Sequence, residues 1–194
     1  MKIKKSNNKF NFPFSRLTLE RFLSSVFLFF TASMAGYVWE VLLTLILTGT
    51  LCNRGFLYGP WLPIYGFGAL FLSFLLKRFS SRPVKVFFLS ALVGSLLELI
   101  TGLALHTYWH IRYWDYSSLS LDLNGYISLL SFLGFGLAGS LWICFLSPRL
   151  LRFWNRLSLR LRKILVCAFL TVFLPDYLIS FLRPNTGPGI TFQP

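Results

Sequence analysis

The chain has 194 residues, of which 55% are hydrophobic and 13% charged, with 19 Lys and Arg against 6 Asp and Glu. Soluble domains carry about 25% charged residues, and disorder needs low hydrophobicity, so both a soluble fold and a disordered chain are excluded. The formal net charge of +13 would point to nucleic acid if it were spread over a soluble surface. Its distribution along the chain excludes that partner and makes it a membrane-orientation signal.

Residues 1–21 are a basic N-terminal segment carrying Lys2, Lys4, Lys5, Lys9, Arg16 and Arg21. An apolar run over 22–48 follows, long enough for the ~20 residues that cross a bilayer. Ser33-Met34-Ala35 looks like a leader cleavage site, but the apolar run continues past it. The segment is therefore expected to remain as a span. The next loop contains Asn53 and a single cation, Arg54. A shorter apolar run covers 61–76, and Pro60, Pro63, Gly66 and Gly68 interrupt its beginning. Irregular backbone at membrane depth survives only inside protein or beside a wet cavity. In transporters, short Gly/Pro-interrupted spans point to binding sites.

A basic loop with Lys77, Arg78, Arg82 and Lys85 leads to a third run, 84–108. The loop after it is poor in cations, with Arg112 alone, and is rich in aromatics. A fourth run covers 126–147. Residues 149–163 then carry Arg149, Arg152, Arg156, Arg160 and Lys163 at helical steps, with Leu150, Leu151, Trp154, Leu157 and Leu161 largely on another face. That pattern predicts an amphipathic helix on the cytoplasmic membrane surface. A fifth run covers 164–182, and the Pro- and Gly-rich tail 183–194 is expected to be extracytoplasmic and turn-rich. The basic segments alternate with the poor ones, so the positive-inside rule predicts five spans with the N-terminus inside and the C-terminus outside. The expected fold is thus all-α: a polytopic membrane helix bundle of five transmembrane helices over 22–182, plus one interfacial helix.

Three carboxyls fall inside apolar runs, where acids are costly and mark function by default. Counted from the inner ends of their runs at 1.5 Å per residue, Glu40, Glu98 and Asp176 lie about 27, 21 and 18 Å deep. All three fall in the outer half. Ser33, Gly36, Tyr37, Glu40, Thr44 and Thr48 share one helical stripe, and Gly94, Glu98, Thr101, Gly102 and His106 share another. Both stripes are expected to face the bundle interior. With Asn53, Arg54, Tyr58, Tyr65, Arg112, Trp114, Asp115 and Asn124, the three acids define an expected polar chamber open to the outer face. Trp114-Asp115-Tyr116 is the expected lid, and Arg54 or Arg112 the expected fork for a phosphate or carboxylate. His106 and His110 lack an H-E-x-x-H setting, and Cys52, Cys144 and Cys167 are scattered, so no metal is expected. There is no phosphate-binding G-x-x-x-x-G-K-[ST] loop and no G-x-S-x-G elbow, and no cofactor is expected.

Trp39-Glu40, Asn53-Arg54-Gly55-Phe56-Leu57-Tyr58-Gly59-Pro60, Pro63-Ile64-Tyr65-Gly66-Phe67-Gly68, Leu97-Glu98, Trp114-Asp115-Tyr116-Ser117 and Leu123-Asn124-Gly125-Tyr126-Ile127 stand in order along the chain. Together they resemble the ABC-transporter type IV (CmpB-like) family of bacterial membrane proteins, over roughly Phe29 to Pro148. The closing Pro184-Asn185-Thr186-Gly187-Pro188-Gly189-Ile190 looks like tails in that family. The resemblance implies a permease of the bacterial cytoplasmic (inner) membrane that works with a cytosolic ATPase subunit. The lipid bilayer and further copies of the chain are the other expected partners. A competing expectation is a membrane enzyme acting on a lipid or lipid-linked headgroup at the outer leaflet, with Glu98 or Asp115 as general acid/base. The residues leave enzymatic activity open.

Overall fold

A computed structural model describes residues 14–192; Lys2, Lys4, Lys5 and Lys9 lie outside the described residues. The described chain is helical, without strands among the described residues, and runs α1 (Phe14–Thr48), α2 (Pro63–Leu76), α3 (Pro83–Trp109), α4 (Leu129–Leu141), α5 (Ser147–Arg156) and α6 (Leu159–Leu182). Proline at the first helical turn starts α2 and α3, where its missing N–H costs nothing. Helix α3 stops at His110, which takes the left-handed conformation with φ of 54°. Helix α4 begins with a reciprocal cap: the Ser128 hydroxyl accepts from the Ser131 N–H, and the Ser131 hydroxyl accepts from the Ser128 N–H.

Among the described residues, four helices are long and apolar enough to cross a membrane: Leu17–Thr48, Pro83–Trp109, Leu129–Arg156 and Leu159–Leu182. Two elements differ in detail from the sequence expectation. The run 61–76 yields a helix of 14 residues, about 21 Å long, which is short of the ~30 Å hydrocarbon core. Leu51–Leu62 remains non-helical, as its Gly and Pro content dictates. The amphipathic helix expected over 149–163 is not a separate element. Its first half, α5, continues α4 through a wide π turn over Trp142–Leu146. That turn lies just ahead of Pro148, which cannot bond back to the Cys144 carbonyl. Extended backbone at Leu157 (ψ of 145°) then breaks the helix, and Ser158 caps the start of α6. The basic residues of 149–163 therefore divide between the end of one long helix and the beginning of the next.

The bundle has two chemically distinct ends. At the basic end, Leu76 and Val86 pack with Ile143 and Trp142, and Leu150 and Leu151 lie against them. Leu23, Trp154 and Val166 form an adjoining cluster, in which Phe27 stacks on Trp154 with ring centroids 4.3 Å apart. Lys77, Arg78, Arg82, Lys85, Arg149, Arg152, Arg156, Arg160 and Lys163 are exposed around it. At the other end the segments 49–62, 110–128 and 183–192 knit into a cap. Helix α2 starts about halfway along α1, where the Leu62 N–H donates to the Ser33 carbonyl at 3.1 Å. It then runs antiparallel to α1 towards the basic end, with Ala69, Leu72 and Leu76 against Leu28 and Ala32.

Helices α3 and α4 approach closely through small residues. A β-carbon on Gly94 would stand 2.6 Å from the Phe135 ring, and one on Gly136 would stand 2.8 Å from the Phe87 ring. The glycine at 102 likewise admits Tyr126 and Trp114. This close approach holds the Glu98 face of α3 against α4.

Candidate functional site

The irregular 51–62 segment explains the placement of most motif residues. Its backbone lies beside apolar helices, so every polar group needs a protein partner. Asp176 on α6 supplies several. Its Oδ1 accepts from the Tyr58 N–H at 3.1 Å and the Ser180 hydroxyl at 3.2 Å. Its Oδ2 accepts from the Gly59 N–H at 2.9 Å and the Trp61 indole N–H at 2.6 Å. Asn53 donates to the Tyr58 carbonyl at 2.7 Å, and the Tyr58 hydroxyl donates to the Arg183 carbonyl at 3.1 Å. Asn185 closes the same segment from the tail, donating to the carbonyls of Gly55 and Leu57.

Arg54 ties the three cap segments together. One guanidinium nitrogen donates to the carbonyls of Gly189 and Ile190 at 3.1 and 3.0 Å. The other donates to the Tyr113 carbonyl at 2.8 Å and lies 3.7 Å from a Glu40 carboxylate oxygen. Tyr113 hydrogen-bonds the Asn185 carbonyl at 2.8 Å, and burial pushes its phenol well above the usual tyrosine range.

Beneath this cap lies a cluster built from three helices and two loops. The Tyr65 hydroxyl on α2 donates to Glu40 at 2.7 Å. The Tyr116 hydroxyl donates to Glu98 at 2.9 Å. Burial first, then the charge of Glu98, pushes the Tyr116 phenol up; Glu40 adds to the shift and Arg54 opposes it. Glu98 is buried at 5% exposure, and its Oε2 has no hydrogen-bond partner. Glu40, Arg54, Tyr65, Glu98 and Tyr116 thus act on one another electrostatically.

Of the residues expected to line one chamber, Glu40, Arg54, Tyr65 and Glu98 come together here. Asp176, Asn53 and Tyr58 belong to the packing of the 51–62 segment. Arg112, Trp114, Asp115 and Asn124 form a further group with Tyr126. The Arg112 guanidinium lies 4.6 Å over the Tyr126 ring and 3.8 Å from Asp115, and it reaches the Asn124 carbonyl at 3.5 Å. Trp114 donates to the Tyr126 carbonyl at 3.0 Å, and His106 Nδ1 meets the Tyr126 hydroxyl at 2.6 Å. The backbone N–H of Ser117 holds the Asp115 carboxyl below the usual range, with Arg112 adding to the effect. A general acid needs the opposite shift, so Asp115 is poorly suited to that role. Tyr116 was absent from the sequence-derived binding set although it sits within Trp114-Asp115-Tyr116-Ser117. Its signal was a phenol one loop away from an intramembrane carboxylate. Tyr113 carried no comparable signal.

Several apolar helices of spanning length, with carboxylates and a guanidinium between them, define a multi-pass helical membrane protein. The chain belongs to the family described as "Putative ABC-transporter type IV", whose model matches residues 27–181. No curated protein and no solved structure matches the chain.

Proposed function

We propose that this protein is a permease component of the bacterial cytoplasmic membrane, and that the Glu40–Arg54–Tyr65–Glu98–Tyr116 cluster is where its solute engages the membrane-embedded part. The observation that carries the reading is a cluster on apolar helices in which the Arg54 guanidinium stands 3.7 Å from Glu40 of α1 and the buried Glu98 of α3 adjoins them. A purely structural bundle gains nothing from that arrangement that apolar packing would not supply. The chain crosses the membrane five times, N-terminus inside and C-terminus outside. The second crossing combines the irregular 51–62 segment with α2, which together make up the length that α2 lacks alone. The basic end faces the cytoplasm, where the arginines of 149–163 meet a cytosolic ATPase subunit. With five spans the chain works together with further copies of itself or with another permease.

One observation favours a second reading, an enzyme acting on a lipid headgroup. Phe67, Leu70, Phe71, Phe74 and Leu97 line an open apolar groove of about 350 Å³ on the α2–α3 surface. Leu97 adjoins Glu98 in the chain, so an acyl chain in the groove would bring its headgroup near the cluster.

Native mass spectrometry of the protein purified from its own host in mild detergent separates the two. A stoichiometric ATPase subunit is expected. A specifically retained lipid without any protein partner would overturn the transport reading and leave the lipid enzyme.

A further inference from the structure

We propose that the Glu40–Glu98 cluster holds one exchangeable monovalent cation, with the unpartnered oxygen of Glu98 as its main ligand. The inference rests on the reading of this cluster as the working site, and it adds the class of ion that the site takes.

The charge balance comes first. Glu40 and Glu98 contribute two formal negative charges, and Arg54 contributes one positive charge. Arg54 is fixed by three backbone carbonyls and stands 3.7 Å from Glu40. Among the described residues, no Lys, Arg or His lies within 4 Å of the Glu98 carboxylate. A buried carboxylate without a counter-charge costs several kcal/mol, of the order that breaks buried ion pairs.

The second observation is independent of the charge count. Glu98 is 5% exposed, one of its oxygens accepts from Tyr116, and the other has no partner. Among the described residues it is the one carboxylate oxygen that is both buried and without a partner, and a carboxylate is the costliest such acceptor to leave bare. The surrounding groups do not supply a dedicated partner. From α1 comes Glu40, from the 49–62 loop Arg54, from α2 Tyr65 and from the 110–128 loop Tyr116. From α4, the Ser131 hydroxyl reaches Glu98, but it is shared, since it also donates to the Ser128 carbonyl at 3.0 Å and has one proton to give. On α3 itself, His106 is two turns away and is engaged by Tyr126. A cation at the free oxygen would sit among carboxylate and phenol oxygens, a donor set for a hard monovalent ion or a proton. Glu40 is 26% exposed at its side chain and gives the ion a polar approach.

The test uses the full chain in native membranes, with an apolar carbodiimide as the probe. The reagent takes the proton of a carboxylic acid onto nitrogen while the carboxylate oxygen bonds to its central carbon. Rearrangement leaves an N-acylurea, so one reagent mass is added and no group is lost. Peptide mass spectrometry reads the adduct at Glu98 and at Glu40. The expected result is an adduct several-fold greater at Glu98, and its response identifies the ion. A fall in adduct as pH rises from about pH 6 to about pH 9, without an effect of sodium, identifies a proton. A several-fold loss when sodium replaces choline at constant pH identifies sodium.

Two results would overturn the proposal. One is no adduct at Glu98 in the folded chain when the detergent-unfolded chain is labelled there. The other is an adduct indifferent to both pH and sodium. Glu98→Gln should abolish the adduct. Tyr116→Phe, which keeps the carboxyl and the shape, should shift its pH or sodium dependence; an unchanged profile counts against the site. The label reads the ion alone, so absence of an ATPase partner and absence of the cation are separable failures.

Discussion

Asp176→Asn tests the account of the irregular segment. Each carboxylate oxygen of Asp176 accepts two donors, Tyr58 N–H and Ser180 hydroxyl on one side and Gly59 N–H and Trp61 indole on the other. An asparagine amide keeps one acceptor oxygen and turns its NH2 towards the other pair of donors. The better flip puts the NH2 beside Tyr58 and Ser180, where the Ser180 hydroxyl rotates to accept it. One hydrogen bond is then lost, and the Tyr58 N–H is left facing a donor. Such a loss costs about 1–3 kcal/mol. Asp176 is only half-buried, so the lower half of that range applies, roughly 1–2 kcal/mol. At about 2–4 °C per kcal/mol for a chain of this size, the unfolding midpoint should fall by roughly 2–8 °C. The assay is thermal unfolding in detergent followed by tryptophan fluorescence, to which Trp61 contributes directly. An Asp176→Asn midpoint within about 1 °C of the parent would refute the claim that this carboxylate organises the segment, and would return Asp176 to the candidate ligands.

Other outcomes follow from the same geometry. Arg54→Lys keeps the charge but loses the fork that reaches three carbonyls, so limited proteolysis should cut the 183–192 tail faster than in the parent; equal rates would refute the latch. Gly94→Val places atoms against Phe135 and should cost about 1–3 kcal/mol. Gly134→Ala, where nothing lies within 4 Å, should be neutral or gain up to about 1 kcal/mol; midpoints of the two variants in the reverse order would contradict the α3–α4 packing. Asp115 has its pKa lowered from 3.8, so its contribution is present above that value and is lost as pH falls through the lowered one. The midpoint gap between the parent and Asp115→Asn should therefore narrow on acidification below pH 3.8, and a gap that widens would reverse the sign. For orientation, Ser118→Cys should react with an impermeant maleimide on intact cells, and Ser81→Cys only after permeabilisation; the opposite pattern would invert the proposed topology.

The helical class was legible because spanning length and apolar composition are local properties of sequence. The second crossing was not legible as built. Hydropathy averages over residues, and it reads Trp61–Leu76 as one apolar run although Pro63 sets where the helix begins. The basic stretch 149–163 misled for a related reason. Its helical periodicity is real on both sides of Leu157, but periodicity carries no information about a two-residue break, and Ser158 is an effective cap only once the backbone there is extended. Within the site, the i,i+4 stripe of Gly94, Glu98 and Gly102 predicted the buried face of α3 correctly, since all three are buried. The matching stripe on α1 holds at Ser33 and Gly36 and then runs out to an exposed Thr48, because α2 covers only part of α1. That Glu40 and Glu98 meet while Asp176 serves another segment depends on three-dimensional partners that spacing cannot supply.

The motif residues therefore divide into two kinds. Asn53, Arg54, Tyr58, Asp176 and Asn185 hydrogen-bond backbone groups of the non-helical segments, which the bilayer would otherwise leave unpaired. Their substitution should lower stability and, through it, every activity together. Glu98 is different, since its hydrogen bond goes to the Tyr116 hydroxyl and to no backbone group of those segments, and among the described residues no cation lies within 4 Å of it. Arg54 bridges the two kinds, because the guanidinium that latches the cap also stands beside Glu40. A cation or solute that altered the charge at Glu40 would be felt by the latch through that 3.7 Å contact.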